Sequence, residues 1–160
     1  MSVNNGKNII DSRDIIARID ELVDERRNLQ DALDNAKETL TDAQDDTSAL
    51  SAEDTAELQE AVELAQENLN GWEEDEGVEL ASLESLAEEA GGCSGWSYGE
   101  ALIRDSYFEQ YAEDLAEEVG AFTGQNYWPL NCIDWTKAAQ QLQQDYTSVD
   151  FDGVDYWIRS

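Results

Sequence analysis

Apolar positions recur at alternating steps of four and three through the first part of the chain: Ile15, Ile19, Leu22, Leu29, Leu33, Ala36, Leu40 and Ala43. That is a heptad seam, interrupted once where Arg26 takes a seam position. Asp11 or Ser12 can cap the helix that carries it. "DDTSALSAED" (45–54) predicts a turn and a restart, with Ser51 and Asp54 in capping-box spacing. A second seam follows through Thr55, Leu58, Val62, Ala65, Leu69 and Trp72. Two antiparallel helices are the simplest arrangement, the first about 50 Å long at ~1.5 Å per residue. "GWEEDEGVE" (71–79) predicts a break, and "VELASLESLAEEA" (78–90) a short apolar helix after it.

The second half changes character. "GGCSGWSYG" (91–99) has the composition of a linker. Ser106 and Glu109 form another capping-box pair, and Phe108, Tyr111, Leu115 and Val119 give one apolar stripe up to Gly120, a good residue just past a helix end. After the aromatic loop "TGQNYWPLN" (123–131), Asp134 can cap a helix through "WTKAAQQLQQ", with Ile133 and Ala138 placed as a hydrophobic staple. The chain closes on "DYTSVDFDGVDYWIRS" (145–160), where Asp152-Gly153 between alternating runs predicts a β-hairpin. The expected fold is α+β and mostly α. An acidic, coiled-coil-like helical hairpin plus short helix (1–90) precedes a small α+β domain (91–160) that ends in the hairpin.

That turn fixes a register. Phe151 lies opposite Val154, Val149 opposite Tyr156 and Thr147 opposite Ile158 on one face. The other face then sets Asp150 directly across from Asp155, where like charges are destabilising and Asp is a poor strand former. Phe108, Tyr111, Trp128, Trp135, Phe151, Tyr156 and Ile158 are expected to form the core.

Charge gives this oddity a context. Nine Lys and Arg stand against 38 Asp and Glu, a formal net charge of −29. A soluble domain of this size needs only about 2–8 charges in magnitude, so the excess works against folding without being required for solubility. Disorder does not follow, because five Trp, six Tyr and three Phe supply large apolar surfaces. From Glu38 to Ile103 there are 19 acids and no Lys or Arg. Later, Glu109, Glu113 and Glu117 form an i, i+4, i+8 row, with Asp114 and Glu118 a second pair. Each like-charged pair costs a few tenths of a kcal/mol.

Little else supports a chemistry. The chain has no His, and no GxSxG, phosphate-binding loop, HExxH or dinucleotide-binding glycine pattern occurs, so no catalytic residue is expected. "DFDGVD" lacks the Gly position and terminal Glu of an EF-hand, and Cys93 and Cys132 fit no metal-ligand spacing. No metal or other cofactor is therefore expected, and both thiols are expected to be reduced. No apolar run is long enough for a membrane span, and the first residues lack a signal-peptide core, so a cytoplasmic protein is expected. The acidity argues against direct binding to nucleic acid or anionic membrane. It favours a basic partner, a cation or a very salty environment.

"YFEQYAEDLAEEVG" (107–120), "IDWTKAAQQLQQDYTSVDFDGVDYWIR" (133–159) and the intervening "WPLN" resemble the C-terminal part of ArdA-type antirestriction proteins. The resemblance covers roughly the last 60 residues. It implies a DNA mimic that occupies the DNA-binding cleft of a restriction–modification enzyme by presenting carboxylates where phosphates would lie. Glu109, Glu113, Asp114, Glu117, Asp150, Asp152 and Asp155 would be the phosphate substitutes. It also implies an infected, plasmid-bearing or prophage-bearing bacterial host. The helical hairpin departs from that family, which carries further small domains instead. It could dimerise, add acidic length or dock on another defence enzyme such as a CRISPR effector. Two alternatives stay open: a halophilic protein, whose acids would lack geometric order, and an acidic adaptor or chaperone for basic proteins. Arg26 in the seam favours the adaptor unless its stem packs and its head reaches solvent.

Overall fold

The computed structural model describes residues 3–46, 51–121 and 127–160. In chain order its elements are β1 (Ile9–Asp11), α1 (Ser12–Asp45), α2 (Ala52–Ala90), β2 (Ala101–Arg104), α3 (Phe108–Glu118), α4 (Trp135–Leu142), β3 (Tyr146–Phe151) and β4 (Val154–Arg159). The fold is α+β and mostly α, with two long N-terminal helices and a C-terminal hairpin, as the pattern predicts. Two compact units form: residues up to Arg18 together with Ser82–Ser160, and Ile19–Ala81. This differs from a division at residue 90, because the sheet of the first unit takes its opening strand from residues 9–11.

That sheet is antiparallel throughout, in the order β1-β2-β4-β3. β2 is central and buried on both faces. Leu102 pairs with Ile158 and Ile103 with Trp157, and both β2 residues are fully buried. Such a strand reads as a short continuous apolar run, without the alternation that marks a half-buried one. On one face, Ile103, Phe108, Ala112 and Ala139 form a core with Tyr107, Tyr111, Leu142, Tyr146 and Trp157 around it. Phe108 meets Tyr146 edge-on at 5.1 Å and Trp157 at 6.0 Å between ring centroids. On the other face Leu102, Val149, Phe151, Tyr156 and Ile158 are buried. The Tyr156 hydroxyl reaches the carbonyls of Asn5 and Lys7, which fastens the segment before β1. The last turns of α2 are tied to the hairpin where Ser82 donates to Asp152 and the Asp150 amide donates to Glu89.

In the second unit the helices run antiparallel. Arg26, 19 residues before the end of α1, bonds Glu73, 21 residues after the start of α2, at 2.8 Å. Beside it the Trp72 indole donates to Glu25 at 3.2 Å. Leu22, Leu33, Leu69 and Trp72 of the expected seams are buried, while Leu40, Ala43, Thr55, Leu58 and Val62 are half-buried.

Several local expectations hold and others need correction. Asp11 caps α1 by accepting from the Arg13 amide at 2.8 Å. Ser51 and Asp54 form a reciprocal capping box, and Asp134 caps α4 by accepting from the Lys137 amide. The turn before Ser51 includes residues 47–50, outside the described set, as do residues 123–126 of the aromatic loop. The break at 71–79 does not occur: α2 runs unbroken through Gly71 and Gly77. Each interior glycine costs about 1 kcal/mol, but neither sits beside a proline, and Leu69, Trp72 and Leu80 are buried around them. Within the linker, Trp96 is buried and its carbonyl accepts from the buried Ser12 hydroxyl. Ser106 caps nothing, because the 3₁₀ turn Asp105–Tyr107 delays α3 until Phe108. Trp128 is 79% exposed and outside the core, in the turn that leads into the 3₁₀ segment Leu130–Cys132.

Candidate acidic partner-binding surface

α3 positions four of the seven acids singled out in the sequence. At 100° per residue, Glu109, Glu113, Asp114, Glu117 and Glu118 cover about half of the helix circumference. Phe108, Ala112, Tyr111 and Leu115 occupy the opposite half, where they are buried or half-buried. Glu109 accepts from the Thr136 hydroxyl of α4 at 2.7 Å. Asp114 accepts from the Tyr107 hydroxyl at 3.0 Å and from Gln110 at 2.9 Å. The hydrogen bond to Asp114 raises the pKa of Tyr107, because it favours the neutral phenol.

The hairpin positions the other three. Asp150 and Asp155 face each other, as the turn predicts, and both are exposed. Asp150 also accepts from the Gly153 amide at 3.1 Å. Asp152 has φ +50 and Gly153 φ +78, the paired left-handed residues of a tight hairpin turn. Asp155 lines an open groove with Arg104, Asp105, Ser106, Gly153 and Val154. None of the α3 acids lines that groove, and neither do Asp150 and Asp152, so the groove gathers only one of the seven. Among the described residues, the side chains of Glu113, Glu117 and Asp155 have no hydrogen bond or ion pair, while those of the other four are engaged. The hairpin face is also less uniform than its acids suggest. Tyr146 and Trp157 share it and are packed against Phe108.

The stronger concentration of charge lies elsewhere. Residues 19–81 hold 21 Asp and Glu against three Lys and Arg. In seven-residue steps, α1 carries Asp24, Asp31, Glu38 and Asp45, and α2 carries Glu53, Glu60, Glu67 and Glu74. All eight are exposed. Counted from the seam, both series fall at the position pointing away from the partner helix. Each stripe therefore repeats about every 10.5 Å along the axis. The signal was available in the sequence as a heptad period in the acids, displaced from the one in the apolar residues.

The chain matches no family model, no curated protein and no solved structure.

The chemistry open to these surfaces is that of carboxylates in water. No group of three or more His, Cys, Asp or Glu among the described residues is placed to hold a metal ion. No described helix is long and apolar enough to cross a membrane. Cys93 is half-buried and Cys132 exposed, both as free thiols, and burial raises the pKa of Cys93. Arg26, the cation in the seam, is bonded to Glu73 with its head partly exposed. It thus joins the two helices of its own unit, which removes the argument that it awaits a partner.

Proposed function

We propose that this protein is a DNA mimic that inhibits a DNA-binding bacterial defence enzyme, a restriction–modification enzyme or a CRISPR effector, by occupying its basic cleft. The observation that carries this reading is linear charge density. The helical hairpin of residues 19–81 is about 40 Å long, so its net charge of −18 amounts to roughly one charge per 2.2 Å of axis. Duplex DNA carries one per ~1.7 Å with both strands counted. The α3 row alone, at one carboxylate per ~6 Å, falls well short. The resemblance of residues 107–120 and 133–159 to ArdA-type proteins supports the same reading from the other unit.

In this mechanism no bond is made or broken. Long-range attraction steers the acidic rod towards a cleft lined by Lys and Arg, and like-charge repulsion keeps it off DNA. Glu113, Glu117 and Asp155, which have no partner among the described residues, are the readiest of the C-terminal acids to meet cleft cations. The ordered acid stripes favour this reading over a halophilic one, in which acids would cover the surface without period. Such an inhibitor would act in the cytoplasm.

The test is competition at two salt concentrations. Purified protein is titrated into a Type I restriction enzyme bound to labelled DNA, with folding followed by circular dichroism. Displacement that weakens with salt while the fold persists is the expected result. A folded protein that displaces DNA neither from this enzyme nor from a CRISPR effector removes the proposal. Folding only in molar salt would favour the halophilic reading.

A further inference from the structure

The outer surface of α2 carries a second pattern interleaved with its acid stripe. Glu60, Leu64, Glu67, Gly71, Glu74 and Val78 follow one another in steps of four and three, and all six are exposed. Leu64 is 58% and Val78 64% exposed. Steps of four and three are what one helix presents to another. α2 already meets α1 through Trp72 and Glu73, which bond Glu25 and Arg26, and Leu69 and Trp72 are buried there, so this exposed row is separate from that seam. Single exposed apolar residues are ordinary. Here two of them flank a glycine at equal seven-residue distances, and the space over that glycine is open among the described residues. A Cβ built at Gly71 meets nothing within 4 Å, and its φ is not positive. Gly in a helix interior costs about 1 kcal/mol relative to Ala, and no contact here offsets it. What a missing Cβ provides is close approach of another backbone.

Charge decides the occupant. Glu60, Glu67 and Glu74 have no hydrogen bond or ion pair among the described residues, and they alternate with the apolar positions. A second copy would bring another strongly acidic unit against this one. We propose that this face docks a basic amphipathic α-helix of the partner protein, with the two backbones closest at Gly71. Lys or Arg on that helix would meet the Glu stripe, and small apolar residues would meet Leu64, Gly71 and Val78. The inference builds on the reading of a basic partner and adds that the contact is a helix packed into a seam, where a mimic needs only a phosphate-binding groove.

The probe is a synthetic 25-residue helical peptide with an Ala/Leu ridge flanked by Lys, set against a scrambled peptide of the same composition. Binding is read by fluorescence anisotropy at about 150 mM salt. Gly71→Leu fills the space over the helix with a good helix former, so its thermal unfolding should match or exceed the wild type. The expected result is a loss of about tenfold in affinity for the ridged peptide, with the scrambled peptide unaffected. Leu64→Ala with Val78→Ala should give a smaller loss in the same direction. Equal binding of both peptides to the wild type would overturn the proposal, since charge alone would then explain it. So would unchanged binding by Gly71→Leu, or a wild-type dimer that Gly71→Leu converts to monomer in sedimentation. The DNA competition fails separately: Gly71→Leu displacing DNA like the wild type refutes the seam there and leaves the mimic standing. Wild type that displaces no DNA but prefers the ridged peptide does the reverse.

Discussion

Asp150 and Asp155 face each other where a neutral pair would be more stable, and the structure supplies part of the reason. Asp150 closes the turn by accepting from Gly153, so one of the two carboxylates has a local task. Asp155 has none among the described residues. Asp155→Asn should therefore raise stability by a few tenths of a kcal/mol, read as a higher melting temperature. Asp150→Asn keeps an oxygen for Gly153 and should be neutral or slightly stabilising. In the double variant the proposed inhibition should weaken; if it does not, that face lies outside the site. Asp54 offers a pH test. The Ser51 hydroxyl, and secondarily its amide, hold the Asp54 carboxyl below its ordinary value of 3.8. A depressed carboxylate adds stability that is complete above the unfolded value and is lost as pH falls through the folded one. Its titration, followed by carboxyl-carbon NMR, should have a midpoint below 3.8 in the wild type. In Ser51→Ala it should move upward.

At the scale of elements, the most informative case is α2. Two glycines within seven residues suggested a break, yet the helix continues because neither removes a hydrogen bond and the seam on either side is apolar. Gly71→Ala should stabilise the helical hairpin by about 1 kcal/mol, since the new methyl meets nothing. Gly77→Ala should gain less, because its Cβ would lie 3.1 Å from the Glu73 carboxylate. The comparison is made by urea unfolding. A larger gain at Gly77 than at Gly71 would show that helix propensity is not what limits this unit. The short elements teach the opposite lesson. Three-residue β1 and four-residue β2 carry too few positions to show a period, and only their pairing makes them strands.

For the whole molecule, the sign and placement of charge outweigh any single contact. Residues 19–81 carry −18 of the total −29, on a seam much of which is only half-buried. Self-repulsion there is screened over ~10 Å at 0.1 M salt. Raising NaCl from about 10 to 200 mM should therefore raise the melting temperature, and more for the hairpin unit than for the sheet unit. Hydrogen exchange resolved by residue separates the two. A melting temperature independent of salt would mean that the repulsion is already relieved within the fold. The same salt range should weaken the proposed binding to a basic cleft, so stability and the proposed inhibition are expected to move in opposite directions.

Local rules suffice for the two seams, for a cap at Asp11 or Ser12, for the caps at Ser51 and Asp134, and for the hairpin register down to Asp150 opposite Asp155. Each depends on neighbours a few residues apart, where spacing and side-chain chemistry are sufficient. Tertiary structure alone decided which short apolar runs become strands, because the pairs Ile9–Ile103 and Leu102–Ile158 join residues 94 and 56 positions apart. It also decided which acids are occupied. Whether Glu109 meets Thr136 or Asp152 meets Ser82 depends on how elements pack, and no spacing along the chain encodes it. The outward acid stripes fall between these cases. Their period is written in the sequence, but it became a surface only once the apolar seam fixed which side of each helix faces water.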